Sequence, residues 1–121
     1  MNVENFPFEN ASYINLETYR KNKQGVRTPV WFVSKNDNIY VVTRENTGKV
    51  KRIRNNNEVK IAKCDFRGKV KGPWITARAH IIEQESKEIL ELRNKKYGFK
   101  AKLANLFTLT KGNYVVIAIQ I

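Results

Sequence analysis

The chain has 121 residues, 41% of them hydrophobic and 28% charged, the make-up of one globular domain (1–121) with a core of its own. No apolar run approaches the roughly 18 residues needed to span a bilayer, and the single cysteine, Cys64, leaves no internal disulfide and no cysteine-based metal site. The formal charge of +12 is the strongest compositional fact: it points to an anionic partner, whether nucleic acid, acidic membrane surface or phosphorylated small molecule, or else to a basic surface that only keeps the chain soluble.

The start, MNVENFPFEN, has no basic stretch followed by an apolar core, the pattern of a secretory signal. The cytoplasm is therefore the expected location. Phe6 and Phe8 are expected to anchor this segment across the surface. From Ser12 to Arg20 the residues alternate, Ile14, Leu16 and Thr18 against Tyr13, Asn15, Glu17 and Tyr19, which predicts a strand. Lys21–Gly25 is a turn. Pro29–Val33 reads as an apolar strand; Pro29, without a backbone donor, belongs at an edge, a bulge or a strand start. Asn36-Asp37-Asn38 is hairpin chemistry, and Ile39–Thr43 is the returning strand.

Thr47 then offers a helix N-cap. Val50 and Ile53 lie three apart, one buried stripe among Lys49, Lys51, Arg52 and Arg54, and Asn55-Asn56-Asn57 ends the helix. Val59–Phe66 is a strand whose apolar residues change parity, which predicts a bulge. Trp74–Ile82 alternates, with Ile75, Ala77, Ala79 and Ile81 on one face and Thr76, Arg78 and His80 on the other. Glu83–Lys96 reads as a helix with Ile89, Leu90 and Leu92 inward and Gly98 as its C-cap. Phe99, Leu103, Leu106 and Phe107 mark one face of a further helix. Tyr114–Ile121, apolar at both parities, predicts a strand buried on both faces. About six short strands with two or three helices predict a mainly β, barrel-like antiparallel domain.

The chemistry concentrates between Thr43 and Arg52. A phosphate needs backbone N–H donors and cationic side chains, and a helix start supplies the first with a positive dipole end. Thr47 offers a hydroxyl, Gly48 lets an anion approach the backbone, Lys49 adds a point charge, and Arg52 follows one turn on. A capped basic surface helix would carry the same residues, so this pattern leaves both readings open. Cys64 reads as a small core residue rather than a nucleophile. Trp31 and Trp74 are large apolar fillers by default. His80, the one histidine, reads as a structural or solvent-facing residue rather than a ligand. No Ser–His–Asp arrangement, paired carboxylate motif or metal-ligand spacing is present.

The segments LETYR (Leu16–Arg20), TPVWF (Thr28–Phe32), Thr43 with GKVKRIR (Gly48–Arg54), Lys63-Cys64-Asp65, Arg67-Gly68 and Lys96-Tyr97-Gly98-Phe99 are short, but in this order they cover nearly the whole chain. Together they resemble the pyridoxamine 5′-phosphate oxidase-like superfamily of flavin and deazaflavin proteins, most of all its small deazaflavin-dependent branch. The resemblance implies a split β-barrel of the FMN-binding type. It also implies a homodimer with two cofactors, FMN or coenzyme F420, in grooves between the subunits. It places Thr28, Pro29, Val30 and Trp31 along the tricyclic ring, largely through backbone. It places Thr43, Thr47, Gly48, Lys49 and Arg52 around the phosphate, with Arg27 as a further candidate and Lys63 lining the same groove. The oxidases proper carry a C-terminal extension that completes their substrate site; the sequence stops at Ile121, so vitamin B6 oxidation is not expected.

F420 differs from FMN in an acidic lactyl-oligoglutamate tail, which the basic residues from Arg44 to Lys71 would suit. FMN needs less charge, so both cofactors stay open. The expected function is hydride transfer between the cofactor ring and an organic substrate, with no catalytic acid or base assigned. The alternatives are a non-enzymatic flavin carrier and a basic nucleic-acid-binding barrel. The last is disfavoured, because the aromatics sit in apolar runs rather than among Lys and Arg on one strand face. No membrane partner is expected.

Overall fold

The computed structural model describes residues 8, 10–82, 87–98 and 114–121. The described elements run β1 (Tyr13–Tyr19), β2 (Gly25–Val30), β3 (Val33–Lys35), β4 (Asn38–Arg44), α1 (Gly48–Asn55), β5 (Glu58–Cys64), β6 (Ile75–Ile82), α2 (Lys87–Tyr97) and β7 (Tyr114–Gln120). The strands form one antiparallel sheet in the order β2-β1-β5-β6-β7-β4-β3. Alternation sends Ile14, Leu16, Ile39, Val41, Val59, Ile61, Ala77, Ala79, Ile117 and Ile119 to one concave side, where they make a single core. The sheet curls around that core as a half-barrel. None of the described helices is long and apolar enough to cross a membrane.

Half of helix α1 consists of strong helix formers, Lys49, Lys51, Arg52 and Arg54, and its two apolar residues, Val50 and Ile53, are both buried, so packing rather than propensity holds it. Ile53 joins the barrel core, and α1 packs between β1 and β6. The helix stops at Asn56, whose backbone is extended and whose N–H donates to the Arg52 carbonyl at 2.8 Å. Helix α2 covers the opposite face of β4 and β7, with Ile89 and Leu92 against Val33, Tyr40, Val42 and Val116. Strand β7 is thereby buried on both faces, as its sequence predicts. Asn36 and Asp37 carry φ of 53° and 64°, the left-handed pair that a two-residue hairpin requires between Lys35 and Asn38.

Two expectations are corrected. Pro29–Val33 is not one strand: β2 starts earlier, at Gly25, and ends at Val30, and β3 starts at Val33. The break falls where Phe32 gives both its N–H and its C=O to side chains of α2 instead of to a neighbouring strand. Pro29 does sit on an edge strand. Nor does β5 contain a bulge, because its ladders to β1 and β6 run without a skipped residue. Its apolar residues change parity because Ala62 and Cys64 are buried on the convex side as well. There the 65–72 loop folds back, with Cys64 bridging Val70 and the Asn15 amide donating to the Gly68 carbonyl at 2.9 Å. Helix α2 is described from Lys87 on; residues 83–86 and the further helix expected over 99–107 lie outside the described residues.

Candidate functional site

The first turn of α1 has no acidic residue and no side-chain cap. Thr47 occupies the N-cap position, but its hydroxyl donates to the Arg44 carbonyl at 3.1 Å rather than accepting from the helix. The first backbone N–H groups of α1 are thus left without an intrahelical partner or a cap. The side chain of Arg52 folds back along the helix to this end, and Nε donates to Thr18 Oγ1 of β1 at 2.6 Å. Thr18 is 1% exposed, so the guanidinium is held by a fixed acceptor at the mouth of the barrel.

Lys49 and Arg20 complete a cationic cluster. Partial burial, then the neighbouring Arg52 charge, push the Lys49 ammonium below the usual lysine range. Burial, then Arg20, push Arg52 down in the same way. Like charges are thus pressed together, and the ion pairs formed among the described residues involve none of the three. Each downward shift marks a charge that a bound anion would relieve. No group of His, Cys, Asp and Glu able to hold a metal occurs among the described residues.

The other expected site residues divide. Thr28 pairs with Leu16 and Val30 with Ile14, on the concave side, while Thr18 pairs with Val26 at the start of β2. The Arg52 anchor therefore stands at the beginning of the edge strand that holds Thr28, Pro29 and Val30. Trp31 lies beyond that strand, stacked on Tyr97 of α2 with centroids 4.4 Å apart and planes 8° apart. Arg27 points to the convex side, where Nε meets Glu17 Oε1 at 2.9 Å and the guanidinium covers Trp74 at 4.6 Å. Arg27 is thereby kept apart from Arg52. Lys63 pairs with Ile14 from the other side of β1, level with Val30 but one strand removed from β2, and so lies away from the cationic cluster. Thr43 pairs with Val115 near the end of β4, four residues before Thr47.

No protein-family model matches the sequence, and no curated protein sequence matches it. Solved structures do match. HutZ, the haem storage protein of Vibrio cholerae, superposes with a TM-score of 0.70 at 13% identity, over 98% of this chain and 86% of HutZ. General stress protein 26 of Bacillus anthracis gives 0.67 at 21% identity, over 94% of this chain and 82% of its own. A pyridoxamine 5′-phosphate oxidase-related, FMN-binding protein of Nostoc punctiforme gives 0.61 at 12% identity, over 90% and 70%. The chain has the split-barrel fold of the pyridoxamine 5′-phosphate oxidase-like proteins. In this split barrel the donor set at the start of α1 fits a phosphate: three cations, uncapped helix N–H groups, hydroxyls, and no carboxylate in an ion pair with them.

Two residues of the Lys96-Tyr97-Gly98-Phe99 segment, to which the sequence assigns no role, make contacts that only the fold reveals. Tyr97 accepts the Phe32 N–H at 2.9 Å and lies 2.7 Å from the Ser12 carbonyl and 2.9 Å from the Phe32 carbonyl, the two acceptors open to its O–H. Burial raises its phenol to about 12. Lys96 donates to the same Phe32 carbonyl at 2.9 Å and sets its ammonium 3.5 Å from the Phe32 ring centroid. The lysine as a whole is open to solvent, but the tip tucked against this ring is desolvated and falls to about 8. The last turn of α2 therefore pins the joint between β2 and β3. Arg20 closes the first predicted strand and the LETYR segment, with no role assigned; its place beside Arg52 depends on α1 packing on β1, which no spacing in the sequence encodes.

Proposed function

We propose that the protein is an oxidoreductase that binds a flavin-type cofactor by its phosphate at Lys49, Arg52 and the start of α1. The observation that carries this reading is the cationic, uncapped helix start beside a fixed arginine. FMN is the first choice, because a protein of the same fold is named for binding it. F420 presents a phosphate and a tricyclic ring of the same kind, and its acidic tail would meet Arg20 and Lys21. The cofactor would supply the hydride chemistry toward a small organic substrate.

The chain's own residues would bind and orient. Lys49 and Arg52 neutralise the anion, and Thr18 holds Arg52 in place. Among the described residues strand β2 ends the sheet, which leaves its outer backbone edge to contact a flat ring. We further propose a homodimer with the cofactor between its subunits, as the resemblance implies. Light scattering on the purified protein tests that assembly, and a monomer at working concentration counts against it.

The visible spectrum of the purified protein, followed by titration of cofactor-free protein with FMN and with F420, tests the cofactor. Saturable binding of one of them is expected; binding of neither sinks the proposal. Turnover of the reduced cofactor with candidate acceptors then separates an enzyme from a carrier.

A further inference from the structure

A second site lies away from the α1 cluster. Between the last turns of α2 and the segment around Ala11, a groove of about 490 Å³ is lined by Phe8, Ala11, Ser12, Val33, Ser34, Leu92, Lys95 and Lys96 among others. Its volume falls within the range of about 300–1,000 Å³ typical of small-ligand sites. Its floor is apolar: Phe8 is 2% exposed, Val33 3% and Ala11 6%. Its polar wall carries two ammonium groups and two hydroxyls, and among the described residues no carboxylate lines it.

Lys96 is the informative member. An ammonium has three N–H donors. One goes to the Phe32 carbonyl, and the ion pairs among the described residues do not include Lys96. The Phe32 contacts hold the tip in place while leaving donors free. The acidic residue of α2 that does form an ion pair, Glu88, pairs with Lys35 at 2.6 Å and neutralises neither Lys95 nor Lys96.

We propose that this groove binds a small organic anion with an apolar body, a carboxylate on a short alkyl or aromatic chain, with Lys96 and Lys95 on the carboxylate and the chain lying along Leu92 over the packed floor. The site needs no cofactor and stands whether or not the flavin reading holds. The ammonium pair selects the charge, and the chain sheds water against Leu92 and the apolar stems of Lys95 and Lys96.

Calorimetric titration of cofactor-free protein with octanoate, and with its uncharged counterpart octanamide, is the test. Octanoate should saturate one site per chain, with octanamide at least tenfold weaker. Lys96→Met should weaken octanoate at least fivefold. Ser34→Trp, a change at an exposed position that fills the groove, should abolish binding, with circular dichroism confirming that both variants are folded. Equal affinity for octanoate and octanamide, or octanoate binding unchanged in both variants, overturns the proposal.

Discussion

The guanidinium of Arg52 lies over the backbone of Gly48: a Cβ at Gly48 would stand 2.7 Å from Arg52 Nη1. The glycine at the first position of α1 thus makes room for an arginine one turn later, and through it for the anion. Replacing Gly48 by alanine should separate stability from binding. Alanine gains about 0.5–1 kcal/mol over glycine in a helix interior and less at this first position, which the weakened Arg52–Thr18 bond offsets, and the backbone at Gly48 needs no left-handed conformation. The melting temperature should stay level, while FMN affinity falls because Arg52 is displaced. Unchanged FMN affinity in a fluorescence titration would show that the anion does not use Arg52.

Lys49→Ala should weaken FMN by about 1–3 kcal/mol, the scale of a lost charge-assisted hydrogen bond. Lys51, exposed on the same helix, is the control. Its removal takes away the same net charge and should change affinity far less. Equal losses in the two variants would mean that general attraction to a basic surface, not a site, holds the cofactor.

Tyr97→Phe removes the oxygen that accepts the Phe32 N–H and bonds to the Ser12 or Phe32 carbonyl. The change keeps the ring and its stack on Trp31 but leaves a half-buried N–H without its acceptor. A loss of about 1–3 kcal/mol in urea unfolding is expected. If stability holds, the ring stack and not the hydroxyl secures α2.

Lys96 gives a pH signature. Its folded pKa of about 8 lies below the usual 10.5, so the folded chain binds this proton less tightly than the unfolded chain. The charged form therefore costs stability below about pH 8, and that cost is relieved as the pH climbs from 8 towards 10.5. Lys49, shifted in the same direction, contributes with the same sign. The stability difference between wild type and Lys96→Met, from urea midpoints at pH 7.5 and 9.5, should move in favour of wild type at the higher pH. A constant difference would show that Lys96 titrates as an ordinary lysine.

Local chemistry was legible in the sequence where it is local in the structure. Asn36-Asp37 makes its turn by its own backbone preferences, and Val50 and Ile53 face inward because their spacing matches the helix. Long-range partners were not legible. Parity at Ala62 and Cys64 reads as a bulge until the 65–72 loop is seen covering them. Pro29–Val33 reads as one apolar strand until Tyr97, 65 residues from Phe32 in the chain, takes the Phe32 backbone. The same holds for the site. Thr47, Gly48, Lys49 and Arg52 share one helix and were found together, whereas Thr18 and Arg20 join them only because α1 packs on β1. Arg27 and Lys63, placed by the resemblance near the same groove, stand apart from it in the sheet: Arg27 on the convex side, Lys63 on β5 across β1 from Val30.

Among the described residues the two end strands of the sheet, β2 and β3, are neighbours in the chain, so both of the rims left unpaired there meet at one corner. Such rims invite growth by strand addition from other molecules. Here β3 is only three residues long, and β2 carries the charge of Arg27 and a proline with no N–H to offer. Pro29 therefore serves colloidal safety as much as geometry. Pro29→Val should leave the monomer fold intact yet raise thioflavin T-positive aggregation at high concentration, as an extra donor appears on the open rim.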